Sequence, residues 1–234
     1  MATYVMSDLH GEYDLYRQML KKIRFSDRDT LYVIGDVVDR GEKPIEILQD
    51  MMMRPNVFPL IGNHEVMALS CLRFLSQEIT EESIGKMDAV MTGKLLDWQA
   101  NGGESTIRGF TRLDEESRLD ILDYLEEFEA YTTLSVSGRK FLLVHAGLQH
   151  FSPRRPLDDY SIDELVWQRP DYDKDYYPDI YVISGHTPVM AIPDNPHPER
   201  IYRKGHFINI DCGATFGGRL ACLCLDTDEE FYCE

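Results

Sequence analysis

Two periodicities divide the chain. Short, mostly apolar runs fall at 4–6, 31–34, 57–61, 141–144, 180–183, 206–210 and 220–225. Runs of this length, bounded by glycine, asparagine or charged residues, predict buried strands. Between them lie longer stretches whose apolar positions recur every three or four residues. That spacing predicts amphipathic helices over 13–23, 44–53, 64–75 and 115–127, with Pro44 well suited to a first turn. Strands alternating with helices predict an α/β chain. Residues 78–99 read as helical but poorly periodic, and the stretch from about 78 to 110 is expected to form a helical cap over the main sheet. Pro188, Pro193, Pro196 and Pro198 mark a loop over 188–200. No repeat or linker interrupts the pattern, so a single domain over 1–234 is expected.

The ends of the apolar runs carry the candidate chemistry. "VMSDLHG" closes the first on Asp8 and His10, and "GDVVDRG" follows the second with Asp36, Asp39 and Arg40. "GNHE" then brings Asn63 and His64, "HAG" brings His145 and "SGHT" brings His186. In α/β sheets, ligands bind beyond the carboxyl ends of strands, and glycines there let the backbone turn sharply beside them. Asp8, His10, Asp36, Asn63, His145 and His186 make one set of oxygen and imidazole donors. It suits divalent Mn, Fe or Zn better than Ca or Mg alone. Alternation puts Asp8 and His10 on one side of an extended backbone. A carboxylate such as Asp36 can bridge two ions. Asn63 is also expected to cap the helix that follows it.

Composition narrows the function classes. The 234 residues are 43% hydrophobic, which is ordinary for a soluble globular chain, and no apolar run approaches the roughly 20 residues of a membrane span. Lys and Arg number 24 against 41 Asp and Glu, a net charge of −17 that repels nucleic acid. A phosphorylated substrate must then be held by specific arginines or metal ions. The 5 cysteines are odd in number and lack CxxC spacing, which disfavours structural zinc and a disulfide framework. With no secretory segment evident, the cytoplasm is the expected location. The tract Asp171–Asp175 mimics a calcium loop, but Tyr176 stands where glycine is needed and Val182 where glutamate is needed.

Together "SDLHG", "GDVVDRG", "GNHE", "HAG" and "SGHT" resemble the signature blocks of the phosphoprotein phosphatase branch of the calcineurin-like metallophosphoesterases. The resemblance is greatest to small bacterial and phage members. "WQANGG", "VWQR" and "NIDCGATFGG" are similar to further stretches of those enzymes. It implies a β-sandwich flanked by helices in four layers, α/β/β/α, and two divalent ions, Mn foremost. Asp8, His10 and Asp36 would hold one ion; Asp36, Asn63, His145 and His186 would hold the other. His64, oriented by Asp39, would protonate the leaving alkoxide. Arg40, Asn63 and Arg169 would contact the phosphoryl group. The implied reaction is hydrolysis of phosphoserine or phosphothreonine in proteins, or of a small phosphoester, by direct attack of a metal-bridging hydroxide. Symmetrical dinucleoside tetraphosphate hydrolysis is the alternative, disfavoured by Asp39 and Glu65. A catalytically inactive binding module is a second, disfavoured by the intact ligand set. Ser7 and Ala146 depart from glycines common in the family.

Overall fold

Consecutive apolar residues in a strand point to opposite faces, so each run needs cover on both sides. The computed structural model, which describes residues 1–76, 88–172 and 175–234, supplies that cover with two sheets packed face to face between helices. The first sheet has the order β10-β9-β1-β2-β3, from β1 (Thr3–Met6), β2 (Thr30–Ile34), β3 (Val57–Leu60), β9 (Leu220–Cys224) and β10 (Glu230–Cys233). The second has the order β4-β5-β6-β8-β7, from β4 (Tyr131–Val136), β5 (Arg139–Val144), β6 (Ile180–Ser184), β7 (Tyr202–Lys204) and β8 (Phe207–Asn209). β1, β2 and β3 run parallel, as do β5, β6 and β8.

The alternation is directly visible in the packing. Val5, Ile34, Phe141, Leu143, Ile183, Ile208 and Leu223 meet in the core between the sheets. Their neighbours Met6, Val33, Leu142, Val144, Val182, Phe207 and Cys222 face outward into the helical layers. Cys222 and Cys224 share that outer face, as their spacing predicts. In the first half of the chain those layers are built by α1 (Tyr13–Lys22), α2 (Pro44–Met52) and α3 (Asn63–Leu75), with Tyr16, Met19, Ile47, Leu48 and Leu72 buried. α6 (Glu115–Glu126) adds Ile121, Leu122 and Leu125.

Of the expected cap, residues 78–87 lie outside the described residues. The remainder forms α4 (Ala89–Ala100), capped by Asp88 accepting from the Met91 N–H at 2.8 Å, and α5 (Glu104–Thr111). Asp173 and Lys174 of the acidic tract are also outside the described residues, and Asp175 accepts from the His206 N–H at 2.9 Å.

Among the described residues, four of the strands and α-helices escape the sequence pattern: β4, β7, β10 and the short α7 (Ile162–Val166). β4, β7 and β10 are edge strands with half-exposed positions, so they carry no continuous apolar run. For β4 a signal did exist. Ser137 and Gly138, with φ of 50° and 77°, make the two-residue turn that joins it to β5.

Candidate active site

The parallel strands of both sheets end at one edge of the sandwich, and the loops beyond them converge there. β1 leads to Asp8 and His10, β2 to Asp36, β3 to Asn63, β5 to His145 and β6 to His186. These loops are unusually contorted. Asp8 (φ 52°), His10 (40°), Asp36 (54°), Asp39 (72°), Arg40 (65°) and His186 (65°) all adopt left-handed backbone conformations. Such a conformation costs a non-glycine residue roughly 1–2 kcal/mol, and it persists only where the surroundings enforce it. Glu65 braces the Asp36 loop among them. Its fully buried carboxylate accepts the N–H groups of Asp36 (2.8 Å), Val37 (2.8 Å), Val38 (3.1 Å) and Gly62 (2.9 Å), tying the Asp36 loop to the start of α3.

Asp36 lies at the centre. His145 Nε2 is 3.3 Å from its Oδ1, and His10 Nε2 is 3.4 Å from its Oδ2. Two groups able to hold a metal share it: His10, Asp36 and His64, and Asp36, His145 and His186. The donor chemistry fits cations. His10 Nδ1 is spent on the Val38 carbonyl (3.0 Å) and His145 Nδ1 on the Ile34 carbonyl (2.9 Å), so each Nε2 presents a lone pair. The lone pair of His145 faces two acceptor oxygens, Asp36 Oδ1 and Asn63 Oδ1 (3.0 Å), with no hydrogen between them. Acceptors converge this way when a cation is to sit among them. Burial drives the His10 and His186 pKa values down to about 3 and lowers that of His145, keeping all three neutral as ligation requires. For Asp36, burial pushes the pKa upward, but the surrounding imidazole groups outweigh it and the net shift is downward.

Asn63 corrects the capping expectation. Gly62, with extended backbone, is the helix cap, and Asn63 is the first residue of α3. Its amide oxygen is thereby free to face His145 and His186, the latter at 2.9 Å. Asp8 accepts the His186 N–H on both oxygens at 3.1 Å. It stands outside both three-residue groups.

His64 behaves differently from the other imidazoles. Its Nδ1 contacts Asp39 Oδ2 at 2.7 Å, and Asp39 also accepts from Trp98 Nε1 (2.8 Å) and Thr106 Oγ1 (2.6 Å). Burial lowers the His64 pKa, yet the charges of Asp36 and Asp39 overcome it and the net shift is upward. Arg40 spans the site, with Nη1 2.6 Å from His10 Nε2 and Nη2 2.9 Å from His64 Nε2. Arg169 is not drawn into this cluster. It is exposed and lines a cavity of about 380 Å³ with Leu148, Phe151, Gln168 and Tyr176, while its charge helps to lower the His186 pKa.

Glu65, Trp98, Thr106 and Asp211 are the supporting residues that the ligand pattern passes over. Asp211 had a signal: the run before it ends on an acid and a glycine like the others. Burial raises its pKa to about 7, and it accepts the Gly213 N–H at 2.9 Å. Glu65→Gln places an NH2 against two of the four N–H donors and is expected to cost about 2–4 kcal/mol of stability. Denaturant unfolding measures this, and a loss under about 0.5 kcal/mol contradicts the role.

Similar proteins bear two kinds of name, phosphatase and tetraphosphatase. The serine/threonine-protein phosphatase 2 of Salmonella typhimurium is 28% identical over 71% of this chain and 67% of its own. The asymmetrical bis(5'-nucleosyl)-tetraphosphatase PrpE of Halalkalibacterium halodurans is 23% identical over 94% and 88%. A symmetrical bis(5'-nucleosyl)-tetraphosphatase of Delftia acidovorans is 32% identical over 42% of this chain but only 36% of its own length. Among solved structures, a putative diadenosine tetraphosphatase shares the fold, with a TM-score of 0.64 at 18% identity over 99% of this chain and 92% of that one. With the calcineurin-like phosphoesterase model matching residues 1–205, the chain belongs to that family.

Proposed function

We propose that the chain is a phosphomonoesterase that acts on phosphoserine and phosphothreonine in proteins. The family is dimetal-dependent. Two ions, Mn foremost, held by Asp8, His10 and Asp36 and by Asp36, Asn63, His145 and His186, would neutralise phosphoryl charge and activate a water for in-line attack. The observation that carries the reading is the Asp39–His64 pair. A serine or threonine alkoxide is a poor leaving group and needs a proton, whereas a nucleotide leaves a polyphosphate chain as a stable anion. With Arg40 drawn onto the phosphoryl oxygens, His64 Nε2 loses its Arg40 partner. The nearby Asp36 and Asp39 carboxylates then favour the imidazolium form, and His64 holds a proton facing the ester oxygen. Arg40 and Arg169 offer planar guanidinium forks to the remaining oxygens. The five buried, unpaired cysteines support a cytoplasmic location, and no described helix is long and apolar enough to cross a membrane.

The tetraphosphatase relatives favour a second reading, hydrolysis of a dinucleoside tetraphosphate at the same site. The deciding assay compares a phosphoserine protein, a phosphotyrosine peptide and diadenosine tetraphosphate after Mn loading. The phosphoserine protein is expected to give the highest kcat/KM, and preference for the dinucleotide would overturn the proposal. Chelation is expected to abolish activity on all three and Mn to restore it; full activity in chelator with one tight zinc would refute the two-ion site. Arg169→Ala is expected to slow turnover by roughly 10²–10³ with metal content unchanged, as for loss of one transition-state contact. An unaltered rate would return Arg169 to the surface.

A further inference from the structure

We infer that Phe216 is a positioning residue that sets the plane of the Arg40 guanidinium. Phe216 is a large aromatic left 56% exposed at the rim of the site, and its ring centroid lies 5.1 Å from Arg40 Cζ. The loop carrying it is fixed at both ends. Gly213 (φ 70°) and Gly217 (φ 76°) flank its single turn, and the N–H groups of Phe216 and Gly218 both donate to the Gly213 carbonyl at 2.9 Å. A Cβ on Gly213 would meet Met190 Cε at 2.7 Å. Asp211, buried beside the Asp8 and Asp36 carboxylates, accepts the Gly213 N–H and anchors the loop at its base. The tip therefore holds a stable position over Arg40.

Arg40 needs such a support. Its backbone is left-handed, its N–H is held by the Gly102 carbonyl at 2.9 Å, and its Cγ packs on Gly102, where a Cβ would lie 2.8 Å away. Beyond that point no close ion pair with a carboxylate fixes its side chain among the described residues, although its charge lowers the Asp211 pKa. The two contacts of its fork are imidazole nitrogens, His10 Nε2 and His64 Nε2. If His10 holds a metal and Arg40 grips the phosphoryl oxygens, both imidazole contacts would be given up, and the face of Phe216 would be a contact that does not depend on them. A ring over a guanidinium favours the cation in the plane in which a bidentate fork meets phosphate.

The inference rests on Arg40 as the phosphate-gripping group, and a double-mutant cycle separates the two. Phe216→Ala, Phe216→Leu, Phe216→Tyr, Arg40→Ala and Phe216→Ala with Arg40→Ala are compared as Mn-loaded protein. Inorganic phosphate binding is read by calorimetry, and KM and kcat are read on an aryl phosphate. Phe216→Ala and Phe216→Leu are expected to weaken phosphate binding roughly 3- to 10-fold, the range of a partly exposed cation–π contact. Phe216→Tyr, which keeps the ring, is expected to restore binding. In the Arg40→Ala background, Phe216→Ala is expected to change nothing further. Full binding by Phe216→Leu, or an undiminished Phe216→Ala effect without Arg40, would overturn the inference. If Arg40→Ala itself leaves phosphate binding intact, the reading of Arg40 fails instead.

Discussion

Asp36→Asn is expected to remove both metal ions and to lower turnover on every phosphoester by roughly 10³-fold or more. Metal Lewis-acid chemistry is worth several kcal/mol, and each 1.36 kcal/mol is tenfold in rate. The prediction follows from the central position of this carboxylate. It is shared by both ligand groups, with His10 on one oxygen and His145 on the other. An asparagine keeps the volume and one carbonyl oxygen, but it puts an NH2 where a second anionic donor stood. It also removes the charge that contributes most to raising the His64 pKa. Elemental analysis of the purified variant, alongside steady-state rates, tests this. Two ions retained per chain would show that Asp36 is not the bridge.

The site was legible because its parts obey one rule at many places. An apolar run followed by a small residue and a donor side chain recurs at β1, β2, β3, β5 and β6, and parallel strands bring such ends to one edge. Asp211 after β8 follows the same rule and could have been found by it. What the pattern misses acts through tertiary contacts between distant segments. Trp98 and Thr106 reach Asp39 from α4 and α5, helices expected as part of the cap, but weak periodicity does not reveal which of their residues face the site. Glu65 spends its charge on four backbone N–H groups, a task no spacing encodes. Asn63 reads as a cap because asparagine usually caps, yet an extended Gly62 takes that position and frees the amide. The edge strands β4, β7 and β10 are hidden for a related reason. Half-exposed positions dilute the hydrophobic signal that the inner strands display.

His64→Asn separates the acid from the ligands. His64 differs from His10, His145 and His186 in two ways: its Nδ1 meets a carboxylate rather than a backbone carbonyl or an amide oxygen, and its pKa is raised where theirs are lowered. General acid catalysis contributes typically 10²–10⁴-fold, more as the leaving group becomes poorer. His64→Asn is therefore expected to slow hydrolysis of a phosphoserine by that factor. On an aryl phosphate, whose phenolate leaves readily, the loss should be roughly 10-fold or less. Asp39→Asn should reproduce the same contrast in weaker form, because it removes one of the two charges that favour the imidazolium while leaving His64 in place. His145→Asn and His186→Asn should instead lose metal and damage both substrates together. Rates on both substrates at saturating Mn, with metal content measured for each variant, give the answer. If His64→Asn loses metal, or slows both substrates equally, His64 is a ligand and the leaving-group proton must come from elsewhere.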